Sequence, residues 1–263
     1  MELAITNALR DLGQVGRGVS GAHFISCDDG EEYVVKFKLG NMPRLFLNEW
    51  IGFCFAKLLS CPVPTMKAVR FNEEFVNGSE KLRTLNVDVG IYPGSLRLSD
   101  SLDFAVGAAN FQIEPDNISS FPSIVAFDNW LVNEDRDNPG NNIIQFKNGE
   151  KRFMIIDNGH ILGGPTWSVD SLNNIASRKT LQKVFMYMSN KIVGVNPFDV
   201  PLRTIETTRS DIIQEIVDAT PLEWFMDKDQ ISLPVAGVLD MRKSLIRKIL
   251  SENKEKFPNC EWR

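Results

Sequence analysis

NEDRDNPGNNIIQFKNGEKRFMIIDNGH, residues 133–160, is the stretch on which the fold turns. Two runs of strand-forming residues, Ile143 to Phe146 and Arg152 to Ile156, flank Asn148-Gly149, a dipeptide suited to a two-residue hairpin turn because both central positions take a positive φ. The turn sets the register. Residues whose numbers sum to about 297 face one another, so Asn142 lies opposite Ile155 and Asp157 falls just past the same open end. An asparagine oxygen and a carboxylate converging there suit a magnesium ion, which takes one or two carboxylate-type oxygens and leaves its other positions to phosphates and water. Asp135, on the polar loop just before, is free to accept a proton from an attacking hydroxyl. Each of these residues alone is an ordinary turn former, and only their joint order carries the reading.

Upstream, Gly16-Arg17-Gly18-Val19-Ser20-Gly21 is a GxGxxG match. A dinucleotide fold would put a helix directly after it, whereas here a hairpin follows, His23 to Ser26 and Tyr33 to Phe37 around Asp28-Asp29-Gly30. Glycines in such a loop let backbone N–H groups approach phosphates closely. Lys36 alternates with Val35 and Phe37, so it should project from the sheet while they enter the packing. Glu49 lies on a helix expected from Pro43 to Leu59, one turn from Phe46, Trp50 and Phe53, where it can reach back to that lysine. Residues 4–12 show apolar positions at helical spacing and read as a short helix. Strands are expected over Thr65 to Phe71 and Leu82 to Tyr92, and helices near 121–132, 178–191, 207–219 and 236–254.

The chain has 263 residues, a formal net charge of -5, 43% apolar and 24% charged content, enough for a large core or two lobes sharing a cleft. Nothing in that balance points to direct nucleic-acid binding. No window approaches the ~20 apolar residues of a membrane span, the first residues do not read as a secretory signal, and the four cysteines show no CxxC pairing, so a cytoplasmic protein is expected. His23 and His160 read as packing or loop residues.

Four segments together resemble the HipA-like kinases, a branch of the protein-kinase-like superfamily related to type II phosphatidylinositol 4-kinases. They are Gly18 to Gly21, Val35-Lys36-Phe37, Asn48-Glu49 with the trailing Pro62-Val63-Pro64, and Asn133-Glu134-Asp135-Arg136 through Asn142 to Ile156-Asp157-Asn158-Gly159. The resemblance implies an α+β, two-lobed kinase-like fold, with a small β-rich N-lobe over residues 1–92 and a mainly helical C-lobe over 93–263. It implies ATP and Mg2+ as cofactors. Nucleotide contacts fall to Gly16, Gly18, Ser20, Gly21 and Lys36, with Tyr92 and Pro93 at the interlobe hinge; catalysis falls to Asp135, assisted by Lys36 and Glu49; and metal binding falls to Asn142 and Asp157. Ser20 is a candidate for autophosphorylation, as a loop serine is in some members. The His-Arg-Asp of protein kinases is absent, Asp157 heads Asp-Asn-Gly, and the spacing from Asp135 leaves Asn141 as an alternative ligand. A Ser/Thr protein substrate is the first expectation, and a regulatory or antitoxin-like protein partner is compatible with the family. A lipid kinase, a small-molecule kinase and a nucleotide-binding pseudokinase remain the alternatives.

Overall fold

The computed structural model describes residues 3–16, 21–37, 41–105, 109–138, 140–180, 182–225 and 227–262. In chain order, β1 (Ile5–Gln14), β2 (His23–Cys27) and β3 (Glu32–Val35) lead into helix α1 (Leu45–Leu58). Then come β4 (Met66–Phe71), two short helices α2 (Glu73–Gly78) and α3 (Glu80–Thr84), and β5 (Gly90–Leu96). These strands close into a barrel of order β1-β2-β3-β5-β4. The chain leaves the barrel after Leu96 and enters a second sheet, β6 (Ser101–Asp103), then α4 (Phe121–Leu131), then β7 (Asn142–Lys147) and β8 (Glu150–Ile155). The remainder is α5 (Val169–Leu172), α6 (Lys183–Ser189), β9 (Gly194–Val195), α7 (Asp199–Thr207), α8 (Ser210–Asp218), the long α9 (Lys228–Ser251) and β10 (Cys260–Glu261).

Among the described residues two apolar cores result. Ile25, Tyr33, Val35, Phe37, Val69 and Phe71 fill the barrel, whereas α1 sends Phe46, Trp50, Ile51 and Phe55 into the larger core built on α4, α8 and α9. The helix following the barrel's hairpin is thus anchored to the helical part: the Trp50 indole donates to Ile216 O at 3.3 Å, and Phe55 meets Trp130 edge-on at 4.8 Å. Buried Arg242 on α9 donates to the carbonyls of Asn129, Trp130, Ile175, Ala176 and Arg178, placing a cation where the last carbonyls of α4 lack helical partners.

The hairpin of residues 142–155 forms in the expected register, Asn142 opposite Ile155 and Lys147 opposite Glu150. Other expectations fail. Residues 4–12 are strand β1: Ile5, Leu9 and Leu12 mimic a helical stripe but face solvent, while Thr6 and Ala8 point inward, and register shifts fall between Ala8 and Arg10 and between Asp11 and Gly13. Bulges broke the alternation that would have marked a strand. Residues 82–89 are not strand, because Asn72 and Ser79 cap α2 and α3 by accepting from Phe75 N and Leu82 N, each followed by glutamate in the first turn. The last long helix starts at Lys228, not 236. It runs through Pro234, and buried Ile231, Val235 and Leu239 hold it on both sides of the proline. Helix α6 is also shorter than expected, residues 178–180 and 182 being irregular.

Strand β5 continues four residues beyond Tyr92 and pairs with both β3 and β4. Gly94 is required there, since a Cβ would lie 2.5 Å from Val69 Cγ2 and 3.2 Å from Tyr33 Cβ. Both neighbours are buried and stiff, so Gly94→Ala is expected to lower stability by about 1–3 kcal/mol, read from denaturant midpoints. An unchanged midpoint would show that the barrel wall yields there.

Candidate active site

Helix α4 ends at Val132, which takes φ +53° and turns the chain out of the helix. Asn133 then ties the loop down, its Nδ2 donating to Asp128 Oδ1 at 2.8 Å while its Oδ1 accepts from Asp135 N at 3.2 Å. Asp135 is thereby held at the loop's tip, and Oδ2 accepts from Asn141 Nδ2 at 2.9 Å and Asn138 Nδ2 at 3.2 Å.

The two asparagines that sequence leaves as alternatives differ in their bonding. Asn141 spends its amide N–H groups on Asp135, at the carboxylate and at the backbone carbonyl 2.7 Å away. Asn142 donates to Arg136 O at 2.5 Å, and its Oδ1 is buried with no hydrogen-bond partner among the described residues. Such an orphaned oxygen is costly unless something else meets it.

Asp157 lies just beyond β8 with φ +57°, a left-handed backbone that aims its carboxylate back under the barrel. There Oδ1 stands 2.6 Å from Lys36 Nζ, and Lys36 Nζ is also 2.5 Å from Glu49 Oε1. The second oxygen of Glu49 accepts from Asn158 N at 3.2 Å. One ammonium therefore joins the barrel, helix α1 and the open end of the hairpin. Burial works to lower the Lys36 pKa, but the Asp157 and Glu49 carboxylates outweigh it and hold the ammonium above its ordinary value. For Asp157, burial is overcome by the Lys36 charge and the carboxyl is held down at about 2.

The glycine-rich loop joins β1 to β2, with Val15 N donating to Ala22 O at 2.8 Å across its base. Gly16 and Gly21 take φ +54° and +55°, a region costly for other residues. Gly18 and Ser20 lie outside the described residues. Tyr92 and Pro93 stand mid-strand rather than between barrel and helices. The Tyr92 ring meets Phe37 and Phe46 edge-on, and Pro93 O accepts from Lys36 N at 3.3 Å. Residues 97–100 make the crossing instead.

Other residues of the site escape sequence reasoning because their partners are remote. Asn48, fully buried beside Glu49, donates to Gly159 O, Ile161 O and Gly164 O and accepts from the Trp167 indole, fastening α1 to the segment after Asp157. Gly52 is the contact surface for Asn158, where a Cβ would come within 2.3 Å of Asn158 Cβ. His160 Nε2 is 4.0 Å from Asp135 Oδ2, so this histidine borders the loop carboxylate. His23 is a packing residue, buried with Nδ1 2.8 Å from Asp11 Oδ1.

A family model for HipA-like kinases matches residues 12–257. No curated protein matches the chain by sequence. Among solved structures the fold is similar to the Helicobacter pylori proinflammatory kinase CtkA, at 16% identity and TM-score 0.58 over 98% of this chain and 99% of that one. It is also similar to hydra Fam20 with sugar, at 12% identity and TM-score 0.56 over 99% and 89%. The Golgi casein kinase with Mn/ADP bound aligns at 10% identity and TM-score 0.52 over 97% and 73%. At these identities the likeness is one of fold.

Replacing Lys36 by methionine leaves Glu49 and Asp157 facing each other without a cation. A fully buried pair so broken costs roughly 3–5 kcal/mol; the Asp157 side chain is 32% exposed, so solvent screening reduces this to about 2 kcal/mol at neutral pH. Like charge raises a carboxyl pKa in the folded variant above its unfolded value, so the deficit grows as pH rises through that interval and shrinks toward pH 5. Thermal unfolding of Lys36→Met and wild type at pH 5 and pH 8 measures this, and a pH-independent deficit would contradict it.

Proposed function

The chain belongs to the HipA-like kinase family, and we propose that it transfers the γ-phosphoryl group of ATP to a hydroxyl, with Ser or Thr of a protein as acceptor. The observation that carries this reading is the meeting of Lys36, Glu49 and Asp157 beside a buried, unpartnered Asn142 oxygen and the tethered carboxylate of Asp135. In this reading the barrel is a smaller lobe, the helical remainder a larger one, and ATP lies between them. The glycine-rich loop, through Gly16, Gly18, Ser20 and Gly21, covers the phosphates, and the crossing at residues 97–100 borders the base.

The residues fit a magnesium ion. One amide oxygen and one carboxylate leave room for phosphate oxygens and water, as magnesium requires, and among the described residues no group of three His, Cys, Asp or Glu side chains forms a cage. Asn142 Oδ1 and Asp157 would hold the ion, whose charge offsets that of the phosphates when bound. Lys36 is oriented by Glu49 toward the α- and β-phosphates. Asp135 takes the proton of the acceptor hydroxyl as its oxygen bonds to the γ-phosphorus and the bond to the β-phosphate oxygen breaks. Asn141 and Asn138, by donating to one oxygen of Asp135, hold the carboxylate in place for that transfer. Asn142, not Asn141, is the metal ligand in this assignment.

A protein acceptor is supported by the family and by the likeness of fold to solved kinases, one of them named for casein. Among the described residues no helix is long and apolar enough to cross a membrane.

With γ-labelled ATP, Mg2+ and a protein lysate, wild type should label Ser or Thr. Asp135→Asn should retain ATP affinity and lose ~10² to 10⁴ in turnover, the usual value of a general base. An unchanged rate would show the base to be elsewhere, and label found only in lipid would redirect the acceptor class.

A further inference from the structure

Arg136 follows the proposed base directly, yet its side chain points away from the cleft. Its guanidinium and the Asp128 carboxylate are both 0% exposed. Nε is 3.0 Å from Asp128 Oδ2 and Nη2 is 3.0 Å from Oδ1, the two-pronged geometry a planar guanidinium makes with a carboxylate. Nη1 donates to Asn141 O at 3.0 Å and to Ile156 O at 2.8 Å, and Nη2 to Asn158 Oδ1 at 3.1 Å. All five N–H groups are therefore used.

The choice of carbonyls is informative. Asn141 immediately precedes Asn142, and Ile156 immediately precedes Asp157. A peptide unit is planar, so fixing a carbonyl fixes the plane that leads into the next residue's Cα. Asn142 is held a second time, its Nδ2 donating to Arg136 O. Asn158, gripped by the same guanidinium, rests on Gly52 and donates its own N–H to Glu49. One buried cation thus reaches both proposed metal ligands and the helix that orients Lys36.

We propose that Arg136, with Asp128 as its counter-ion, is the positioning residue of the metal pair, setting the separation and orientation of Asn142 and Asp157 through the two carbonyls. The inference rests on the reading above that these two residues hold a divalent ion. Lysine cannot replace arginine in this role, because a single ammonium has neither the reach nor the fork to hold both carbonyls and the carboxylate. Residues that orient metal ligands are commonly worth ~10 to 100-fold in metal affinity.

The test measures binding rather than turnover. Free Mn2+ is followed by electron paramagnetic resonance during titration of the full chain with ADP present, and ADP binding without metal is measured in parallel. Arg136→Lys should bind metal-free ADP within about twofold of wild type and Mn2+ ~10 to 100-fold more weakly. Asn158→Ala, which removes one contact and keeps the guanidinium, should shift Mn2+ affinity in the same direction by less, and it serves as the test if the lysine variant does not fold. Unchanged Mn2+ affinity overturns the proposal, as does an equal loss of metal-free ADP binding, which would make the role one of general structure. A wild-type chain that binds neither ADP nor Mn2+ overturns the nucleotide reading itself, and this inference with it.

Discussion

The Lys36 ammonium, pinned between Glu49 and Asp157, is the contact on which the rest of the site depends. It stands where three separately built elements meet: the barrel wall, the helix anchored in the larger core, and the end of the hairpin. A cation with one carboxylate from each side fixes all three against one another, and at 14% side-chain exposure it is screened far less than a surface pair. The second oxygen of Glu49, the amide of Asn48 and the bare surface of Gly52 then hold residues 157–164 to the same helix, so helix and hairpin end behave as one unit.

Backbone strain is stored at three positions around this unit. Val132, Asp157 and Leu162 all take positive φ, a region that costs non-glycine residues and persists only where the surroundings enforce it. Val132 lies where α4 hands over to the loop of Asp135, and Asp157 where β8 hands over to the segment under α1. In both places the strained turn re-aims a side chain toward the cleft. Hydrogen bonds from Asn133, Asn48 and Arg136 hold the turns in place.

Legibility in the sequence followed the range of the interactions. The hairpin was readable residue by residue because Asn148-Gly149 sets its register locally, and Lys36 and Glu49 were readable because their spacing follows strand and helix periods. Strand β1 was not, since its two bulges scrambled the period and placed Ile5, Leu9 and Leu12 outward. The caps at Asn72 and Ser79 were present in the sequence and outweighed by the apolar run after them. Arg136 and Asn48 sit inside segments that carry the resemblance, yet nothing local gives their roles or that of Gly52: their partners are created by the fold, and a buried arginine looks the same in sequence as a solvated one. The left-handed Asp157 and the orphaned Asn142 oxygen likewise exist only once the chain has closed.

The central claim is that the open end of one hairpin holds a divalent ion under the barrel. Crystals grown with ADP and Mn2+, with the anomalous signal of manganese recorded, test it directly. The account predicts a peak within bonding distance of both Asn142 Oδ1 and the Asp157 carboxylate. Clear nucleotide density with manganese bound elsewhere, and Asn142 Oδ1 left without a partner, would contradict it.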